Sequence, residues 1–226
     1  MELDREKYAA KVRSAARGAA GGLAGDFNEH LKTLLDDERA TELLAYVAER
    51  FAWGDVPDDI IEALSLGKLT ALMKDNGRVR GIVAGDIFRR GVARTLAQQF
   101  AKDFEQARMP FQYALSTRAG TECVARVVRA LTELDGRLTL VSIDGIGAFD
   151  HIKRKSMLTA MQGHPKLNQL LPFVRQFYGR QSQYMWYDDA GGAHIILQGE
   201  GGERGDPLMP ALYAFSTQHS MKSPQN

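Results

Sequence analysis

Two carboxylates, Asp144 and Asp150, lie six residues apart at the end of an apolar run, L-T-L-V-S-I-D-G-I-G-A-F-D from Leu138 to Asp150. Leu138, Leu140, Val141 and Ile143 suit a strand covered on both faces, and Asp144 falls where that strand should reach solvent. Gly145 and Gly147 carry no side chains between the acids, so the backbone can turn tightly and a bulky ligand can come close. Such a strand end is a natural metal site. The same spacing also fits a capped strand running into a helix that starts near Asp150. Upstream, K-D-N-G-R-V-R (Lys74 to Arg80) places Lys74, Arg78 and Arg80 around a D-N-G turn signal. Cations on a hairpin are suited to gripping a triphosphate, because charge-assisted contacts are short and strong and Arg can bind two oxygens at once.

The elements that must position these groups follow from periodicity. Glu2 to Arg17 reads as an Ala-rich helix with little apolar mass, expected to hang loose, and Gly18 to Gly25 reads as a glycine-rich linker. Asp26 or Asn28 can cap a helix presenting Leu31, Leu34 and Leu35. A further helix presents Leu43, Leu44, Val47 and Phe51, and Pro57-Asp58-Asp59 opens a short one. Leu69 to Met73 and Val79 to Val83 form a hairpin. From Asp86 a long helix carries Phe88, Val92, Leu96, Phe100 and Phe104 as a core stripe, which leaves Arg89, Arg90 and Arg94 for solvent or nucleic acid. Thr121 caps a helix exposing Val124, Val127, Val128, Leu131 and Leu134 on one side. Helices near Lys155 to Met161 and Leu167 to Tyr178, a second hairpin around Asp188 to Gly192, and a last helix opened by Pro207 complete an α+β layout.

Composition sets the bounds. With 226 residues, 44% apolar and 25% charged, the chain fits an ordinary globular protein rather than a disordered one. A net charge of +1 gives no global field to draw in nucleic acid. The distribution says more: Asp36 to Glu62 holds nine acidic and two basic residues, whereas Lys74 to Arg94 holds six basic and two acidic. A local basic face for phosphates is therefore expected. The single Cys123 excludes an internal disulfide and suits a reducing, intracellular setting, nucleus or cytoplasm. No apolar run approaches the roughly 20 residues that span a bilayer. His151, His194 and His219 lack metal-ligand spacing, and no P-loop, Gly-x-Ser-x-Gly or dinucleotide fingerprint is present.

Four motifs in order resemble a reverse transcriptase of the non-long-terminal-repeat retrotransposon kind, over about Gly21 to His219. The first palm motif of that family, an apolar strand, an Asp and an Ala-Phe-Asp, matches Asp144, Ala148, Phe149 and Asp150. The second matches Gly201, Gly202, Glu203, Arg204, Gly205, Asp206 and Pro207, with Arg204 where the family usually has Gln. Lys74 to Ile82 looks like the fingers hairpin, with Gly81 in place of the usual Pro, and Gln112 to Glu122 looks like the intermotif segment. The resemblance implies a partial right-hand polymerase, fingers plus the first half of the palm, with an N-terminal helical region. The expected divisions are 1–25 for the first helix and linker, 26–67 for a helical lobe, 68–137 for the fingers-like region and 138–226 for the partial palm.

The resemblance also implies roles. Asp144, helped by the backbone carbonyl of Gly145, would bind the Mg²⁺ ions of nucleotidyl transfer. Lys74, Arg80, Phe149 and Gly205 would bind the deoxynucleotide, with the Phe149 ring as a plate that excludes a 2′-hydroxyl. Arg78, Arg89, Arg90 and Arg204 would contact nucleic acid, the partners being an RNA template and a DNA primer. Asp150 would be structural, capping the next helix or holding Lys153 or Arg154. The family's third palm motif, an aromatic-x-Asp-Asp hairpin, is absent after Pro210, so the chain is expected to be inactive alone. Tyr187-Asp188-Asp189 imitates that motif but precedes Gly205-Asp206-Pro207 instead of following it. Asp188 and Asp189 are therefore expected to serve a turn, far from Asp144. Two other readings remain: a non-catalytic nucleic-acid-binding remnant, or an unrelated metal-dependent phosphohydrolase using Asp144 and Asp150.

Overall fold

The computed structural model describes residues 1–110, 112–115 and 117–218. Helix α1 (Arg5–Ser14) starts at Asp4, whose carboxylate accepts the Lys7 amide at 2.9 Å. Helices α2 (Asn28–Thr33), α3 (Glu38–Trp53) and α4 (Asp58–Ser65) follow, with a 3-10 turn over Leu34–Asp36. Asp37 caps α3, and Gly54 ends it at φ 76°, the left-handed conformation a helix stop favours. Strands β1 (Gly67–Met73) and β2 (Val79–Ala84) form the first hairpin. Next come α5 (Ile87–Gln99), α6 (Ala101–Arg108), α7 (Gly120–Leu134), α8 (Ala148–His151) and α9 (Arg154–Gln162). A 3-10 turn over Leu167–Leu170 leads into α10 (Leu171–Tyr178), where Pro172 sits in the first turn. Strands β3 (Ser182–Tyr187) and β4 (Ala193–Gln198) and helix α11 (Met209–Ser216) complete the described fold.

The four strands form one mixed sheet in the order β2-β1-β3-β4. Each hairpin is antiparallel, and a short parallel join, Gly67 with Tyr184 and Lys68 with Met185, fuses the two. The join is close because Gly67 has no side chain to strike Val83 and Tyr184. The core lies among the helices, not under the sheet. Phe51 of α3 meets Phe88, Phe173 and Phe177 at ring-centroid distances of 5.4, 5.6 and 5.7 Å, and Leu96, Met157, Met161, Leu170 and Leu212 close around them.

Three expectations are corrected. Helix α1 does not hang loose: Leu3, Tyr8 and Val12 are buried in the core, Tyr8 meets Phe88 edge-on, and Arg5 pairs with Glu49 of α3. Its apolar residues are few but share one stripe, which is sufficient to dock a short helix. The Leu138 to Asp144 run is not a buried strand. It has no regular secondary structure and no ladder partner among the described residues, and Ile143 is 90% exposed. Apolar content favours a strand only where another backbone offers its hydrogen bonds, and here none does. Neither Asp26 nor Asn28 caps α2; the residue before the helix is Phe27, and its amide is accepted by His30 Nδ1 at 3.2 Å.

Helix α7 shares the exposure of the run it leads into. Val124, Val127, Leu131 and Leu134 form the apolar stripe expected of it, yet none is buried. Core and periphery should therefore respond differently to truncation. Phe51→Ala is expected to cost about 3–5 kcal/mol in urea unfolding. Leu134→Ala, at a side chain 83% exposed, is expected to stay within about 0.5 kcal/mol of the parent. Equal losses at the two positions would show that α7 is packed in solution.

A candidate nucleotide-binding cleft

The β1–β2 hairpin is built by its turn. Lys74 N–H donates to the Arg78 carbonyl at 2.8 Å, Gly77 N–H donates back to Lys74 at 2.9 Å, and Asn76 Oδ1 accepts the Arg78 amide at 3.1 Å. This sets Lys74, Arg78 and Arg80 along one wall of an open cleft of about 690 Å³. Residues Asp144 to Phe149 form the facing wall, and Arg204 and Gly205 close its base. Three segments far apart in the chain thus share one hollow. Asp144 is the one carboxylate among the lining residues, and it makes no hydrogen bond or ion pair with the described residues. Phe149 is half-buried, its ring 5.0 Å from that of Tyr213, so the core holds it from behind while it lines the cleft.

The base is fastened at two places. Gly202 N–H donates to Phe149 O at 2.8 Å and Gly201 N–H to Ile152 O at 2.9 Å, which ties the glycine-rich turn to α8. A Cβ at Gly201 would lie 2.3 Å from the Asp150 carbonyl oxygen, so only glycine allows that approach. On the other side Val83 N–H donates to Arg204 O at 3.0 Å, and a Cβ at Gly205 would stand 2.2 Å from Val83 O. The turn is therefore pinned between β2 and the segment that carries Asp144.

Beneath it lies a buried ionic cluster that the sequence reading missed. Arg89 is 2% exposed, and its Nη1 donates to Glu203 Oε1 at 3.3 Å. Its Nη2 lies 2.8 Å from Glu203 Oε2 and 3.7 Å from Asp206, charge contacts rather than well-angled hydrogen bonds. The guanidinium stacks 3.8 Å from the Phe177 ring centre. Tyr178 donates its hydroxyl to Asp206 at 2.6 Å, and the other Asp206 oxygen accepts the Leu208 amide at 2.8 Å. Burial alone would lower the Arg89 guanidinium, but the Glu203 and Asp206 carboxylates outweigh it and hold it above its ordinary value. Burial, and then the same carboxylates, push the Tyr178 hydroxyl well above its usual range.

Arg89 is therefore not on a nucleic-acid-binding surface. Counting in fours along α5 picks Phe88, Val92 and Leu96, which do pack in the core, but at 3.6 residues per turn the buried face widens to take in Arg89 and Ala93. With Glu203 and Asp206 three apart in a turn, that register is the signal that could have revealed the cluster. Arg90 is half-buried and donates to the Ala20 carbonyl at 2.5 Å, so of the three arginines only Arg94 faces solvent. Arg204 pairs with Asp150, where Lys153 or Arg154 had been the expected partner. Arg154 instead lies buried under the turn, donating to Gly201 O, Arg180 O and Ser182 Oγ.

At the tip of the second hairpin Asp188 serves the turn. Its Oδ1 accepts Ala190 and Gly192 amides at 3.0 and 2.7 Å, and its Oδ2 meets His194 at 2.7 Å. The hydrogen bond with His194, and then that with Gly192, hold its carboxyl below the ordinary range. Among the described residues no three His, Cys, Asp or Glu side chains gather as a metal-ligand set. Asp144 and the Gly145 carbonyl thus suit Mg²⁺ in kind, as hard oxygens, but fall short in number. No helix is long and apolar enough to cross a membrane among the described residues.

Set beside known proteins, the chain is supported as related to proteins of retroelements. It is 25% identical over 218 residues to the Retrotransposable element SLACS 132 kDa protein of Trypanosoma brucei gambiense. The matched stretch is 96% of this chain and 18% of that protein's length. No protein-family model matches the chain.

The ionic cluster generates a test of what holds the cleft's base. Arg89→Met leaves Glu203 and Asp206 buried without their cation, an expected loss of about 3–5 kcal/mol. Burial already holds Glu203 above its ordinary carboxyl value, and removing Arg89, which opposes that shift, raises it further. A raised folded value gives its full contribution below the ordinary glutamate range and loses it as pH rises through the raised value. Urea unfolding should therefore show a deficit that grows from acid toward neutral pH. A deficit independent of pH would mean that the carboxylates find another partner.

Proposed function

We propose that the chain is a fingers and first-half-palm portion of a retroelement reverse transcriptase, whose cleft takes the triphosphate of a deoxynucleotide paired to an RNA template beside a DNA primer. One observation supports this most: Lys74, Arg78 and Arg80, the Asp144 to Phe149 loop, and Arg204-Gly205 line one cleft although up to 130 residues separate them in sequence. The division of labour follows from chemistry. The hairpin cations bind phosphate oxygens, with Arg80 reaching two at once. Phe149, backed by Tyr213, lines the cleft as the ring that a sugar with a 2′-hydroxyl would strike. Gly205 lets the nucleotide or template approach the backbone.

Arg204 has a different task from the one its charge suggests. It is bound to Asp150, so it braces the loop that holds Asp144 rather than reaching for nucleic acid. In the intact family Mg²⁺ supplies the charge that activates the primer hydroxyl. Asp144 and Gly145 are the groups here that would share in holding it, and further carboxylates are needed to complete a pair of ions. The chain's own residues bind and orient the nucleotide. The single lining carboxylate also favours a second reading, a nucleic-acid-binding remnant without chemistry.

Two measurements test these readings, and the second separates them. Purified chain given primed RNA, deoxynucleotides and Mg²⁺ is expected to show no extension, since groups that act as a unit lose nearly everything when one is missing. Extension abolished by Asp144→Ala would overturn that expectation. A fluorescent deoxynucleoside triphosphate should bind weakly, and Arg80→Ala should weaken it by about 1.5 kcal/mol, roughly tenfold in Kd. Binding indifferent to Lys74→Ala and Arg80→Ala together would remove the nucleotide from this cleft and leave the remnant reading.

A further inference from the structure

A second cationic hollow lies on another part of the surface, between α9 and the end of α10. It has a volume of about 420 Å³, and Arg154, Lys155, Thr159, Gln162, Arg175 and Arg180 are among its lining residues, with no Asp or Glu. The deepest of these is Arg154, 4% exposed, and its three guanidinium contacts go to two carbonyls and a hydroxyl, none of them a carboxylate. Part of its burial is explained by position, since it sits just past the C-terminus of α10, where backbone carbonyls favour a cation. Its full charge nevertheless adds to three exposed cations at the rim, Lys155, Arg175 and Arg180. Three carboxylates come near. The buried Glu203, already paired with Arg89, also feels the Arg154 charge. Asp58 pairs with Arg180 at 2.9 Å, and Glu200 accepts the backbone amide of Arg154 at 2.8 Å. Four cations against three acids, one of them shared with Arg89, leave an excess positive charge in a concave place, where low-dielectric walls concentrate its field.

We propose that this groove binds the phosphodiester backbone of a nucleic-acid strand, as a contact separate from the nucleotide cleft. Charge selects an anion, and shape selects a strand over a single phosphate. Lys155, Thr159 and Gln162 fall on one stripe of α9, and the rise from the first to the last is roughly 10 Å at 1.5 Å per residue. That length exceeds what one phosphate fills, so a strand with successive phosphates can use it where a free phosphate cannot. Thr159 and Gln162 add neutral donors of the kind that position a backbone without reading bases, and Gln162 holds Arg175 in place through a contact of 3.4 Å. The inference does not depend on the reading of the cleft.

The test is binding of a labelled single-stranded oligonucleotide to the whole chain, followed by fluorescence anisotropy across a salt series without added metal. Lys155→Ala with Arg175→Ala removes two exposed cations and is expected to leave the melting temperature unchanged. It should make the slope of log affinity against log salt shallower by about 1.4 to 1.8, two contacts at roughly 0.7 to 0.9 each. Lys155→Gln with Arg175→Gln should do the same, and takes its place if the alanine pair melts early. Lys74→Ala with Arg78→Ala, run in parallel, tests the cleft separately. An unchanged slope in the groove variants, no binding by the parent chain, or displacement of the oligonucleotide by inorganic phosphate at equal phosphate concentration would each overturn the proposal. A slope that responds to the groove variants and not to the hairpin variants would support it while counting against nucleic acid in the cleft.

Discussion

The contact of Arg89 with Glu203 and Asp206 is the constraint on which the rest of the cleft depends. It joins α5 of the helical core to a turn that has almost no apolar side chain of its own to bury. A turn composed of Gly201, Gly202, Glu203, Arg204 and Gly205 cannot be held by packing, so it is held by charge and by backbone bonds. Burying three ionised groups is costly, and such a cluster is weak support for stability as such. What it supplies is position. With Glu203 and Asp206 directed inward, Arg204 is left on the outer side of the same turn, where it meets Asp150 and faces the hollow.

Much of this arrangement could be read from residue types, and the failures share a cause. The hairpins at Asp75 to Gly77 and Asp188 to Gly192 were legible because turn chemistry is local: Gly77 and Gly191 both adopt positive φ. The cleft wall at Lys74, Arg78 and Arg80 was legible for the same reason, since the turn fixes which side chains share a strand end. The Leu138 to Ile143 run misled because its apolar pattern describes what the segment would prefer, and burial depends on what the rest of the chain offers it. Helix α7 makes the same point, with a well-formed apolar stripe facing solvent.

Tertiary partners were the least legible of all. Nothing local links Arg89 to Glu203, which follows it by 114 residues, or Arg154 to the carbonyl of Gly201. A sequence pattern can put an arginine on a helix, but it places that arginine inside or outside only through the neighbours it meets, and α5 buries Arg89 beside the expected stripe rather than in its place. Asp150 was legible as a structural acid, while its partner was not, because the ion pair depends on the turn being pinned by Gly201 and Gly205 from opposite sides.

Arginine is used in four ways within one small region, and the environment alone distinguishes them. Arg78 and Arg80 are exposed beside a hollow, with their donors free for an incoming anion. Arg204 spends its charge on Asp150 and so stiffens the loop that carries Asp144. Arg89 is buried with two carboxylates and an aromatic face, a closed set that leaves nothing for a ligand. Arg154 is buried as deeply, but its hydrogen-bond partners are carbonyls and a hydroxyl, and the nearby Glu203 offsets its charge only from a distance, without a direct ion pair. A guanidinium in that state still attracts anions through the wall of the groove above it, whereas one paired as Arg89 is does not. Hydrogen-bond satisfaction and charge compensation are thus separate conditions, and the surface next to Arg154 is where their difference can act on a partner.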